Sequence, residues 1–159
     1  MNKRQILTKI IDQLRSELEL YRQAARAAHA EATHEQSKAE NKYDTRGLEA
    51  SYLARGQSRQ AAEMEDSLAE FQRLDPAEAA PGSPVEVGCL VELSRPRERA
   101  WYFVGPRAGG TEVEHRGQEI TVVTPASPLG SRLLGRRAGD PVILEPGPAK
   151  TEYRIQTVL

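Results

Sequence analysis

Ser127-Pro128-Leu129-Gly130-Ser131-Arg132-Leu133-Leu134-Gly135-Arg136-Arg137-Ala138-Gly139-Asp140 decides how this chain is read. Leu129 to Leu134 form one short helical segment in a region that is otherwise strand-like. Leu129, Leu133 and Leu134 have the character of core side chains, whereas Gly130, Gly135 and Gly139 suit turns or close packing. On both sides the apolar pattern has period two. Val87–Leu93, Ala100–Val104, Thr111–His115, Glu119–Thr124, Val142–Glu145 and Tyr153–Val158 read as strands. This half is expected to be a small, twisted, mostly antiparallel sheet with one helix.

The residues before it are of another kind. From Asn2 to about Tyr43 there is neither proline nor glycine, and strong helix formers dominate. Ile6, Ile10, Leu14, Leu18, Tyr21, Ala25, Ala28 and Ala32 recur at steps of three and four, an apolar stripe along one helix face. A second helix is expected from about Leu48 to Leu74, with Leu48, Tyr52, Met64, Leu68 and Phe71 on its apolar side. Between the two lies Lys42-Tyr43-Asp44-Thr45-Arg46-Gly47, where Gly47 is expected to turn the chain and Asp44 or Thr45 to cap the second helix. Two such helices fold back as an antiparallel coiled coil, on the order of 40 Å long at about 1.5 Å per residue. The stripe is Ile, Leu, Met and Phe near the base and alanine toward the turn, with Gly56 placed opposite it on the return helix. Small residues let helices approach, so the distal shaft is expected to be slim.

The fold class expected is therefore α+β: a helical hairpin over 1–74 with its tip near 42–48, a linker over 75–84, and a sheet domain over 85–159. The linker contains three prolines and one glycine and cannot continue a helix.

The composition of the 159 residues, 38% hydrophobic with a mean hydropathy of −0.60, is lean for a single thick globule and compatible with an exposed hairpin. No apolar run approaches the roughly 20 residues a membrane span requires, and the N-terminus has no signal-peptide core, so a cytoplasmic location is expected. Cys89 is the only cysteine, which excludes an internal disulfide and a thiolate metal cluster; its apolar strand setting makes it a buried small hydrophobe. Net charge is −1, with 12 basic and 14 acidic residues over 1–80 and 10 and 9 over 81–159. Neither half is basic enough for nucleic acid held by bulk electrostatics, and a protein partner fits better.

Several chemistries find no support. His29 and His34 are five apart, not the three or four that brings two ligands to one helix face. Gly105-Pro106-Arg107-Ala108-Gly109-Gly110 does not lead from a strand into a helix, so it reads as a connecting loop rather than a phosphate loop. Ser127 has no histidine and aspartate in any recognisable triad order. The hairpin tip is different: Glu40, Asp44 and Glu49 cluster there with Lys42 and Arg46 between them. Solvation alone accounts for such a cluster; carboxylates carried to a nucleotidyl-transfer centre would instead help hold a second Mg²⁺ and its water.

The chain resembles the bacterial Gre transcript-cleavage factors. The family pattern is matched by Val87-Gly88-Cys89-Leu90-Val91, Tyr102-Phe103-Val104-Gly105, Thr124 through Gly135, Gly139-Asp140 and Tyr153-Arg154-Ile155. The Ser-Pro-Leu-Gly to Gly-Asp run is its most specific part. The resemblance implies an FKBP-like C-terminal fold docking on the rim of the RNA polymerase secondary channel, with the coiled coil entering the channel. It also implies that the loop of Ser127, Pro128, Leu129 and Gly130, with Arg132, belongs to the docking surface. Lys42, Tyr43 and Arg46 become tip contacts, and Asp44 and Glu49 metal ligands only in complex with polymerase.

The tip departs from the pattern. Cleavage-active Gre factors carry Asp-x-x-Glu followed by Asn-Ala-Glu-Tyr. Here Asp44 is followed three positions on by Gly47, and aligning Glu49-Ala50-Ser51-Tyr52 on the second motif puts Thr45 and Leu48 where the acids belong. Under either register the pair is broken. The expected function is a monomeric, Gre-type factor that binds bacterial RNA polymerase and modulates elongation, with strong transcript cleavage not implied. It would have no sequence-specific DNA contact, no catalysis of its own, and no cofactor beyond the polymerase Mg²⁺. The alternatives are a peptidyl-prolyl isomerase-like module or a coiled-coil interaction protein regulating another enzyme.

Overall fold

The computed structural model describes residues 1–34, 45–144 and 151–159. Its elements are α1 (Lys3–Thr33), α2 (Arg46–Gln72), β1 (Leu90–Arg95), β2 (Glu98–Val104), β3 (Glu112–His115), β4 (Gln118–Val123), α3 (Pro128–Leu133), β5 (Pro141–Leu144) and β6 (Thr151–Val158). The α+β class expected from the sequence is the class found: two long helices followed by a six-stranded, mostly antiparallel sheet. Two compact units are present, Asp12–Leu68, and Met1–Ile11 together with Ala69–Leu159. The division crosses both long helices, so the first turns of α1 and the last of α2 belong with the sheet.

In the helical unit, α1 buries Leu14, Leu18 and Ala28 as its stripe predicts. The seam on α2 differs from the expectation. Ala50, Ala61 and Ser67 are buried and Ala54, Gln57, Met64 and Leu68 half-buried, an unbroken three-four spacing from Ala50 to Leu68. Leu48 and Tyr52 are instead 56% and 67% exposed, and Gly56 is exposed with nothing within 4 Å of an added Cβ. The reason is phase. Met64 and Leu68 fix the face, and stepping back from them by threes and fours reaches alanines, while Leu48 lies two residues from Ala50, roughly 200° round the helix. The taper of the seam toward alanine stands, carried by Ala28, Ala50 and Ala61 rather than by Gly56. Arg22 pairs with Glu65 across the helices at 2.5 Å, but both side chains are about half exposed, which holds its contribution to below about 1 kcal/mol.

One helix end also differs from expectation, the start of α2. α1 stops at Thr33, whose hydroxyl donates to the carbonyls of His29 (2.9 Å) and Ala30 (3.3 Å), while His34 N–H turns back to Glu31 O at 3.3 Å. This i−3 bond tightens the last turn. α2 begins at Arg46, so Gly47 lies within its first turn and does not reverse the chain. Thr45 precedes the helix, its carbonyl accepting from Glu49 N–H at 2.9 Å.

All six expected strands are present, in the order β3-β4-β2-β1-β6-β5. β2 and β4 run parallel, and the other neighbours antiparallel. β1 starts at Leu90 rather than Val87 because Gly88, at φ +95°, and the Cys89 N–H to Glu86 O bond first make a turn. The registers put Phe103 opposite Leu90 and Val122, and Trp101 opposite Ile120, so Trp101 and Phe103 share one face and Tyr102 takes the other. Phe71, from the end of α2, stacks on Phe103 with ring centroids 6.1 Å apart. The other face buries Val91, Leu93, Val104, Val123, Val142 and Ile155 with Leu133 of α3 and Val85 and Cys89 from the linker side. Cys89 is the buried small hydrophobe expected. Lys3, itself 5% exposed, donates from Nζ to Ala77 O at 2.5 Å and ties the first turn of α1 to the linker. Among the described residues no helix is long and apolar enough to cross a membrane.

The phase of the seam is testable by denaturant unfolding. Leu14→Ala should cost about 2–5 kcal/mol, as for a fully buried leucine, whereas Leu48→Ala should stay within about 0.5 kcal/mol.

Candidate functional site

The Ser-Pro-Leu-Gly turn is built by its first residue. Ser127 is the N-cap of α3 in extended geometry (φ −75°, ψ 153°), and Pro128 occupies the first helical position. Its hydroxyl accepts from Gly130 N–H at 3.0 Å and donates to Thr124 O at 2.8 Å, so one side chain closes both the helix start and the end of β4. The second contact brings Gly130 against the chain ahead of it: a Cβ there would lie 2.0 Å from Thr124 O. No side chain fits. Gly105, at the end of β2, is constrained in the same way, its added Cβ falling 2.6 Å from Phe71 Cζ and 2.8 Å from Val122 Cγ1.

Beside this turn lies a cavity of about 770 Å³, bounded by Gly109 and Gly110, the β4 run Thr121 to Thr124, and Ala126 to Leu129 with Arg132. None of these side chains is aromatic. The sequence-predicted docking residues therefore gather in one place. Leu133 is fully buried in the core, and Leu129 and Leu134 are packed half-buried against it. Pro128 and Arg132 are exposed, while Ser127 is half-buried and committed to the cap. Sequence reasoning missed Gly109, Gly110 and Thr121 as walls of the same cavity. They reach it through the antiparallel β3–β4 pairing, in which Glu112 lies opposite Thr121 and Gly110 N–H donates to Val122 O at 2.8 Å.

At the other end of the chain, Glu40, Lys42, Tyr43 and Asp44 lie outside the described residues. Arg46 and Glu49 occupy the exposed first turn of α2, and the Glu49 carboxylate accepts from the Thr45 hydroxyl at 2.8 Å. One carboxylate already bonded to a hydroxyl does not make a cation site by itself. Among the described residues no three His, Cys, Asp or Glu side chains come together as a metal centre.

One further titratable group stands out. His115 on β3 is 5% exposed and its Nε2 has no hydrogen-bond partner. Burial, reinforced by the positive charges of Arg116 and Lys9, holds its pKa below the usual histidine range. Lys9 is fixed nearby by donating to Glu114 O at 2.6 Å.

No protein-family model matches the chain, and no curated protein matches it either. Solved structures similar to it are Gre-type transcription factors. GreA factor homolog 1 (Gfh1) of Thermus thermophilus is 26% identical over 94% of each chain, with a TM-score of 0.39. Thermus aquaticus Gfh1 is 26% identical over 92% of each chain, with a TM-score of 0.41. The transcription elongation factor GreA/GreB of Nitrosomonas europaea is 26% identical over 60% of this chain and 78% of its own, with a TM-score of 0.38.

Two outcomes check the site. Gly130→Ala should destabilise by about 3 kcal/mol through overpacking, against about 1 kcal/mol for loss of the cap in Ser127→Ala, both read by denaturant titration. For His115 the folded state disfavours the proton, so the unfolded chain binds more protons as pH falls through the ordinary histidine range. Stability from this group is complete above that range and is lost as pH drops through it. His115→Gln should flatten that part of the unfolding-midpoint profile between about pH 7 and pH 5.

Proposed function

We propose that the chain is a Gre-type factor of bacterial RNA polymerase, modulating elongation from the secondary channel without strong transcript cleavage. The observation that carries this reading is the convergence of the family motif on one structural purpose. Ser127, Gly130 and Thr124 lock the turn, which places Pro128, Leu129 and Arg132 beside an open apolar cavity. The residues that fix the turn thus also border a cavity of about 770 Å³. In this reading the sheet unit docks through Pro128, Leu129 and Arg132, and the hairpin carries Arg46 and Glu49 to the polymerase interior.

The tip chemistry favours modulation over catalysis. Coordinating a second Mg²⁺ calls for paired oxygen donors. Asp44 has Gly47 rather than an acid three positions on. Glu49 is held by Thr45. Any hydrolysis would belong to the polymerase, and this chain would block or reshape access to its centre. The isomerase alternative loses ground because the cavity beside α3 has no aromatic wall.

The deciding experiment follows the RNA 3′ end in a backtracked elongation complex. The expected result is no acceleration of cleavage by the chain alone, with suppression of cleavage driven by an active Gre factor. Acceleration would overturn the modulating role and make Asp44 and Glu49 metal ligands. Pro128→Asp should weaken polymerase capture about tenfold, as for loss of one well-packed interface anchor. Asp44→Asn should leave capture intact while changing the effect on transcription; an unchanged effect removes Asp44 from the mechanism.

A further inference from the structure

A second groove, of about 370 Å³, lies between α3 and β5 and is lined by Ser131, Arg132, Leu134, Arg136, Val142 and Ile143. Three features coincide there. Among the described residues β5 is an outer strand of the sheet, paired on one side with β6 and with no strand on the other. Ile143, on that strand, is 41% exposed. Arg132 and Arg136 on the rim are exposed and have no carboxylate partner among the described residues, whereas Arg15, Arg22, Arg26, Arg59, Arg95, Arg99 and Arg107 each pair with an acid. Asp140, four residues after Arg136, is already used: its Oδ2 accepts from Arg137 N–H at 2.8 Å within the turn before β5. Arg137 itself reaches back to the carbonyl of Gly82.

We propose that this groove takes an extended acidic peptide segment of a partner protein, added as a strand along β5. A free strand edge offers main-chain hydrogen bonds in a row, and alternate side chains of an added strand fall into the adjoining groove. Aliphatic side chains of the peptide meet Leu134 and Ile143, and its carboxylates meet the guanidinium groups of Arg132 and Arg136, which suit bidentate binding. Pro141 has no N–H, so pairing is confined to the strand beyond it. A nucleic acid fits less well, because the groove presents an aliphatic floor and no aromatic platform for base stacking. The inference shares Arg132 with the proposed docking surface but rests on β5, Ile143 and Arg136, which that surface does not use.

The test uses the purified full chain and a fluorescein-labelled heptapeptide alternating glutamate with valine, followed by fluorescence anisotropy. Saturable binding is expected, weakened at least about tenfold by Arg136→Glu as a charge-assisted contact becomes a repulsion. The double variant Arg132→Glu/Arg136→Glu should lose the acidic peptide and gain a lysine–valine peptide of the same length. That swap would not follow if the arginines only supported the fold, and circular dichroism checks that each variant is folded. Absence of saturable binding, equal affinity of Arg136→Glu, or tighter binding of a single-stranded oligonucleotide than of the peptide would each overturn the proposal. Because no polymerase enters the assay, its failure is separate from failure of the elongation reading.

Discussion

The backbone of Gly130 lies so close to Thr124 that an added side-chain carbon would sit 2.0 Å from the carbonyl oxygen. This approach sets where α3 can lie relative to β4, and the Ser127 hydroxyl, bonded to both Thr124 and Gly130, holds it there. From that one placement follow the cavity on one flank of α3 and the arginine-rimmed groove on the other. Leu133 then falls into the core and Arg132 onto the rim, since neighbouring helical positions point about 100° apart. The short helix is thus positioned by main-chain contact more than by its own length, which is too small to be stable alone.

Gly105 repeats the device on the opposite face. Absence of a side chain lets Phe71 reach Val122 and stack on Phe103, which fastens the last turn of α2 to the sheet. The Glu70 to Arg107 pair at 2.6 Å and the Lys3 bond to Ala77 sit beside the same junction. The base of the hairpin is therefore built into the sheet unit, while the shaft from Asp12 to Leu68 forms a unit of its own.

Much of this was legible in the sequence because it depends on local patterning. Period-two runs located six strands, and the stripe on α1 from Ile6 to Ala28 matched the buried positions. The stripe on α2 held at Met64, Leu68 and Phe71 and was misread at Leu48 and Tyr52, because the seam there is Ala50, Ala54 and Gln57 while the larger apolar residues face outward. Hydrophobicity marks a face only where the buried residues are the hydrophobic ones. The walls of the cavity were missed for a different reason: Gly109 and Gly110 meet β4 only through the register of the β3–β4 pairing, and period-two patterning locates strands without giving their register. Among the described residues, the outer position of β5 and the arginines without a carboxylate beside it likewise depend on strand order.

The alanine seam has a consequence for motion. Ile6, Ile10 and Leu14 are buried without remainder, whereas Ala28, Ala50 and Ala61 remove far less apolar surface from water. At about 25 cal/mol per Å² of apolar surface buried, successive turns of the helical pair are held with decreasing free energy from Leu14 toward Ala28 and Ala50. Local opening then becomes easier along the same direction, from turns that open only with the whole fold to turns that open by themselves. The helical pair is graded in stiffness, firm at Ile10 and Leu14 and compliant toward Ala28 and Ala50.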